Sequence, residues 1–341
     1  MKKIFLIGLT AAAMMASCGN DETVEMAQQK AISFSNAFVN NGTRSIVDPS
    51  FTTTSLSDFA VYGFTQKGQI FNGEKVSKGG AAWSYDNVQY WVPGNTYTFG
   101  AIAPHSVAAH VSNVTLPTGA AKVEMKVAFT NTDADQVDLL HAEPAQITGV
   151  TASYTAPVSM TFNHQLSKVK FSFQNSVGEG YNVKVSNVKI TDAYKEGTLT
   201  VAATKNTWGG QTDKTLELNF GNVVANASST EASAIAYAAT LESYNEKLMI
   251  PMGSSAIYTV TFTAELFKDN VPLGIYNHRV EIKNVEFKLG YCYNFKASLT
   301  HENITGQDEL NPIVFDVKKV EDWNQAESNK ELNVPKTQSG I

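Results

Sequence analysis

Between Phe287 and Phe295 the large apolar residues keep one parity for nine residues: Phe287, Leu289, Tyr291, Tyr293 and Phe295. An extended chain sends successive side chains to opposite faces, so a set at every second position buries itself as a strand against one side of a sheet. The alternation returns at Val123, Met125 and Val127, at Val158, Met160 and Phe162, and at Val169, Phe171 and Phe173. It recurs at Leu216, Leu218 and Phe220, and at Tyr258, Val260 and Phe262. Val183, Val185, Val188 and Ile190 predict a further strand or strand pair. Pro93-Gly94-Asn95 is a turn signal. No long amphipathic helical pattern interrupts the series. Short strands separated by turns predict an all-β chain of two β-sandwich domains in series.

The N-terminus carries a different pattern. Lys2 and Lys3 precede an apolar run, Ile4 to Met15, which is too short to span a bilayer and reads as a cleaved signal peptide, residues 1–17. Met15-Ala16-Ser17-Cys18 resembles a bacterial lipobox, which makes Cys18 the candidate lipidation site and tethers the chain outside the inner membrane. With Cys18 acylated only Cys292 remains, so no intrachain disulfide forms and stability rests on hydrophobic burial. Residues 18–30 read as a flexible acidic spacer. Asp21-Glu22 resembles the acidic signal that sends Bacteroidetes lipoproteins to the outer face of the outer membrane; a soluble linker is the other reading. The formal charge of −6 gives no reason to expect nucleic acid as a partner.

Downstream, Ile32, Phe34 and Phe38 share a parity and predict a first strand, broken at Asn41-Gly42. Around Pro144 to Pro157 large hydrophobes thin out, which divides the chain into an N-terminal domain, 31–150, and a C-terminal domain, 151–323. Residues 324–341 form a polar tail. Ile313, Phe315 and Val317 are the last strand candidate, either completing the second domain or serving as a strand donor.

No catalytic constellation emerges, so no enzyme and no cofactor are expected. His105 and His110 are five apart in a small-residue loop, weak spacing for metal ligands. His164 reads as a structural histidine at a strand end, and Cys292 as a small buried residue in a strand. No Gly-x-Ser-x-Gly elbow and no phosphate-binding glycine loop occurs. Trp83, Tyr85, Tyr90 and Trp91 have two readings: a platform on which sugars stack, or core aromatics. Arg44 follows Gly42-Thr43 in an exposed-looking segment, where proteases cut. A cut there by a trypsin-like protease releases the lipid anchor and the first strand together, leaving a template for another strand.

Together these segments resemble the fimbrillin family of Bacteroidetes. The resemblance rests on Cys18, Ile32-Ser33-Phe34 with Thr43-Arg44-Ser45, Phe59-Ala60-Val61-Tyr62-Gly63-Phe64 and Tyr97-Thr98-Phe99-Gly100-Ala101. It continues through Asp138-Leu139-Leu140-His141-Ala142, Met160 to Val169, Lys195-Glu196-Gly197-Thr198 and Leu289 to Phe295. It implies two transthyretin-like Greek-key β-sandwiches, lipoprotein export, and a fimbrial subunit role in adhesion at the outer membrane. Implied partners are other fimbrial subunits joined by β-strand addition, the outer membrane through the lipid, a trypsin-like protease acting at Arg44, and a host or bacterial surface ligand. The alternative is a surface lipoprotein that binds glycans through the aromatic window.

Overall fold

The computed structural model describes residues 30–39, 56–80, 82–226, 228–252, 256–306 and 313–322. Cys18, Arg44 and the tail 324–341 lie outside the described residues. The chain forms β1 (Phe34–Val39), β2 (Asp58–Thr65), β3 (Gly68–Gly79), β4 (Ala82–Ser84), β5 (Tyr97–Ala103), β6 (Val111–Thr115), β7 (Glu124–Thr130), β8 (Leu140–Ala142) and β9 (Val158–His164). It continues with β10 (Ser167–Asn175), β11 (Tyr181–Ala193), β12 (Glu196–Val201), β13 (Thr207–Thr212), β14 (Leu216–Gly221), β15 (Val223–Val224) and β16 (Ala234–Ile235). The last strands are β17 (Thr240–Ser243), β18 (Lys247–Met249), β19 (Tyr258–Lys268), β20 (Val271–Ile282), β21 (Tyr291–Leu299) and β22 (Phe315–Asp322), with a short helix α1 (His301–Thr305) after β21.

The first sandwich is built on a seven-stranded sheet in the order β1-β9-β8-β5-β2-β3-β4. Its two ends curl together, so that Ala31, just before β1, bridges Tyr90, just beyond β4. Its central strands β2, β5 and β8 are buried on both faces. One face carries Phe34, Phe59, Phe71, Phe99 and Phe162, and the other carries Ala60, Tyr62 and Ile102 against Met125, Val127 and Leu199 of a second sheet. That second sheet has the order β13-β12-β7-β6. Burial on both sides explains why β5 shows no polar–apolar alternation: every residue from Tyr97 to Ala103 is inside. Gly63 lies opposite Phe71 on β3 and Phe99 on β5, and a Cβ there would stand 2.8 Å from the Phe71 ring.

The second sandwich pairs β15-β17-β10-β21-β22 with β14-β11-β19-β20 around a core that includes Phe171, Phe173, Phe262, Phe295 and Phe315. Val183, Val185, Val188 and Ile190 belong to one strand, β11. A bulge between Ser186 and Lys189, with Asn187 at φ 54, shifts the parity midway. Phe287 and Leu289 keep the parity of β21 but precede it. Gly290 turns at φ 70, and the Tyr293 hydroxyl accepts from Lys288 N and donates to Glu286 O, each at 2.8 Å. The first sandwich repeats this corner: the Tyr97 hydroxyl accepts from Val92 N at 2.7 Å and reaches back to Tyr90 O. Trp91 and Phe287 each pack on their tyrosine, at 4.7 and 4.8 Å.

Strand pairing crosses the sequence boundary at residue 150. β9 completes the first sheet before the chain turns into β10, and the β12–β13 hairpin extends the four-stranded sheet through β7, Glu196 facing Thr130 and Val201 facing Met125. Leu248, Ile250 and Cys292 join the core of the first sandwich. Asn131 Nδ2 donates to Leu248 O at 2.8 Å, and Lys247 pairs with Asp133 at 2.8 Å. The sandwiches therefore share packing. Gly63→Val should cost about 1–3 kcal/mol in denaturant unfolding by overpacking between the two phenylalanines. Gly79→Ala, where a Cβ meets nothing, should stay within about 0.5 kcal/mol.

Candidate functional site

The first strand occupies the most distinctive position in the fold. β1 runs parallel to β9 at the edge of the seven-stranded sheet, Phe34 beside Val158 and Ser35 beside Ser159, and its register shifts before Phe38 reaches Thr161. Val158 N donates to Ser33 O at 2.7 Å. The segment before β1 is held from the other side: Ile32 N donates to Gln89 O at 2.8 Å, and Trp91 N to Lys30 O at 2.9 Å. The Tyr85 hydroxyl adds a 2.6 Å bond to Ile32 O. Residues 30–35 thus lie in a slot with backbone partners on both flanks.

Side chains fill the floor of that slot. Ile32 is 1% and Phe34 5% exposed. Phe34 meets Phe59 and Phe71 at 5.9 Å, Tyr85 at 5.6 Å and Phe99 at 6.2 Å, all edge-on, the geometry in which aromatic rings attract beyond area burial. Ser33 between them is exposed. Burial raises the Tyr85 pKa, with the Gln89 backbone bond opposing, so the phenol stays protonated and keeps its grip on Ile32 O. A second parallel pair, β10 with β21, occurs in the other sandwich, but β10 is enclosed there by β17 and β18. Among the described residues β1 has no strand beyond it.

Of the sequence candidates, Ile32, Phe34 and, from the aromatic window, Tyr85 converge on this slot, and Gln89 and Phe71 join them unforeseen. The alternating triad 32, 34, 38 was the one available signal; the gripping groups come from segments about fifty residues away in sequence. The aromatic window turns mostly inward. Trp91 is 3% exposed against Tyr97 and Tyr154, Trp83 packs on Phe59, and Tyr85 on Phe34. Tyr90, 45% exposed, is left alone, and a single ring makes no platform. Ile313 and Phe315 are buried in the second core, where Phe315 touches Phe171, Phe173 and Phe262; β22 pairs antiparallel with β21, and Val317 faces Phe295. His105 and His110 bound a short 3-10 helix, and no group of residues that could hold a metal ion occurs among the described residues. His164 is buried 2.8 Å from Asp138, and Cys292 is buried in β21. No described helix is long and apolar enough to cross a membrane.

β9 is backed on its other edge by β8, where His141 faces Asn163. Burial drives the His141 pKa down to about 4, against the upward pull of Glu143 and with a smaller push from Lys122. The ring is therefore neutral in the folded protein.

These features define a tandem β-sandwich whose first strand lies at the edge of its sheet. A family model described as fimbrillin-like matches residues 43–323, and the chain belongs to that family. Among solved structures, a fimbrial protein from Bacteroides vulgatus ATCC 8482 shares the fold at a TM-score of 0.61 and 15% identity, covering 86% of this chain and 99% of that one. A protein assigned to cell adhesion from Bacteroides ovatus ATCC 8483 aligns at a TM-score of 0.48 and 17% identity, over 86% of this chain and 98% of its own. No curated protein matches.

Two outcomes follow from this geometry. Phe34→Ala should lower unfolding stability by about 3–5 kcal/mol, the range for a buried phenylalanine, whereas Ser33→Ala should stay within about 0.5 kcal/mol. Because the folded pKa of His141 lies below its unfolded value of about 6.5, its stabilisation is complete above that pH. It is lost as pH falls towards about 4, by roughly 3 kcal/mol in all. Denaturant midpoints across this window should fall in the native protein and flatten in His141→Gln.

Proposed function

We propose that the protein is a structural subunit of a cell-surface fimbrium, exported as a lipoprotein tethered at Cys18 and joined to neighbouring subunits by strand addition. The observation that carries this reading is the seat of β1. Arg44 follows Val39, the last residue of β1, by five positions in sequence, so a cut after Arg44 leaves β1 joined to the lipidated N-terminal segment and held to the rest of the protein only by its slot. Once β1 leaves, Phe59, Phe71 and Phe99 lose their cover, and β9 gains an unpaired edge. An incoming strand recovers both terms, taking affinity from main-chain bonds and register from the pockets of Ile32 and Phe34. It must run parallel to β9 and carry two apolar residues two positions apart.

A trypsin-like protease is the maturation partner in this scheme, and other fimbrial subunits are the assembly partners. Membership of the fimbrillin-like family supports the subunit role. As a donor, β22 would have to surrender the contacts of Phe315 with three phenylalanines of its own core, which favours the terminal-strand role for Ile313, Phe315 and Val317.

Limited trypsin treatment of the folded protein should yield a new N-terminus at Ser45, and the trimmed product should form oligomers visible by electron microscopy and light scattering. Arg44→Ala should stay uncut at this position and monomeric. Oligomers of equal size from Arg44→Ala would overturn the cleavage step.

A further inference from the structure

Where the two sandwiches meet, four segments line an open cleft of about 600 Å³: the end of β8, the β9–β10 corner, the β12–β13 turn, and the loop before β21. That volume is in the range of small-ligand sites. The lining mixes polar and apolar groups in nearly equal measure. Two of its three lysines are matched by carboxylates within the cleft, Lys122 with Glu143 at 2.7 Å and Lys288 with Glu286 at 3.7 Å. Lys205 is exposed on the β12–β13 turn and makes no ion pair among the described residues. The cleft thus carries one uncompensated positive charge in a protein of net charge −6.

Beside Lys205, Asn206 donates through Nδ2 to Gln165 Oε1 at 2.9 Å and to His141 Nδ1 at 3.2 Å. Both bonds use its amide nitrogen, so its carbonyl oxygen remains available to a ligand hydroxyl. Accepting at Nδ1 puts the proton of the neutral His141 ring on Nε2. That atom has no hydrogen-bond partner among the described residues, although His141 is only 2% exposed. Tyr291 contributes an aromatic ring to the same wall.

We propose that this cleft binds a carboxylated sugar, with Lys205 pairing the carboxylate, Asn206 accepting from a ring hydroxyl through its carbonyl oxygen, and Tyr291 lying against the apolar face of the ring. A single unmatched cation selects one negative charge, the Asn206 carbonyl oxygen matches a hydroxyl that donates, and the volume exceeds what a small carboxylate alone would fill. The site does not involve β1, so its failure and the failure of strand addition are separately visible.

The test is titration of the intact protein with methyl β-D-glucuronoside and methyl β-D-glucoside, which differ only in the carboxylate, followed by amide NMR shifts and calorimetry at up to about 10 mM ligand. The expected result is shifts at Lys205, Asn206 and Tyr291 with the glucuronoside, and binding about tenfold weaker for the glucoside. Lys205→Ala should remove that preference and Lys205→Arg restore it, with thermal melting unchanged because Lys205 is exposed. Absence of binding by the glucuronoside, equal binding of the two sugars, or undiminished glucuronoside binding by Lys205→Ala overturns the proposal.

Discussion

The insertion of Phe34 among Phe59, Phe71, Tyr85 and Phe99 is the contact on which the first sandwich turns. Those rings come from β2, β3, β5 and the segment after β4, so one side chain from the strand at the sheet's edge ties together elements that span it. The aromatic packing holds the strand in place, and the slot between β9 and Gln89–Trp91 supplies direction and register. An edge strand with free backbone groups is usually a liability. Here the curl of the sheet and the bridge from Ala31 to Tyr90 close the gap as long as β1 is present.

The rest of the molecule is arranged so that the loss of β1 need not propagate. β2 and β5 keep their opposite face against Met125, Val127 and Leu199. The first sandwich also shares core with Leu248, Ile250 and Cys292, and the bonds of Asn131 and Asp133 to the β18 region hold it to the second. β10, the enclosed counterpart of β1 in the parallel pairing, is continuous with the same scaffold. An edge strand on a cross-braced frame is the physical basis of our proposal that this member of the fimbrillin-like family joins its neighbours by strand addition.

Much of the strand content was legible in parity. Val158 to Phe162, Val169 to Phe173 and Leu216 to Phe220 became β9, β10 and β14, because one buried face leaves a period of two in the chain. Partner choice was not legible. The same alternation in β9 fits any sheet, and only long-range packing places it beside β1 and β8. β3 escaped notice because only Phe71 and Val76 of its twelve residues are buried. The parity from Phe287 to Phe295 ran through a turn, since Phe287 and Leu289 face different cores on either side of the tyrosine corner. At the candidate site, Ile32 and Phe34 carried a signal. The Tyr85 grip, and the neutral His141 behind β9, arise from burial that no local pattern encodes.

The central claim is that β1 is a separable occupant of a seat the remaining fold preserves. Hydrogen–deuterium exchange on the protein cut after Arg44, with the released fragment removed, tests this most directly. The account predicts that Val158 and its neighbours on β9, together with Trp91, lose protection, while β2, β5 and the second sandwich keep theirs. Loss of protection across the whole first sandwich, or a fragment that leaves without changing β9 at all, would contradict it.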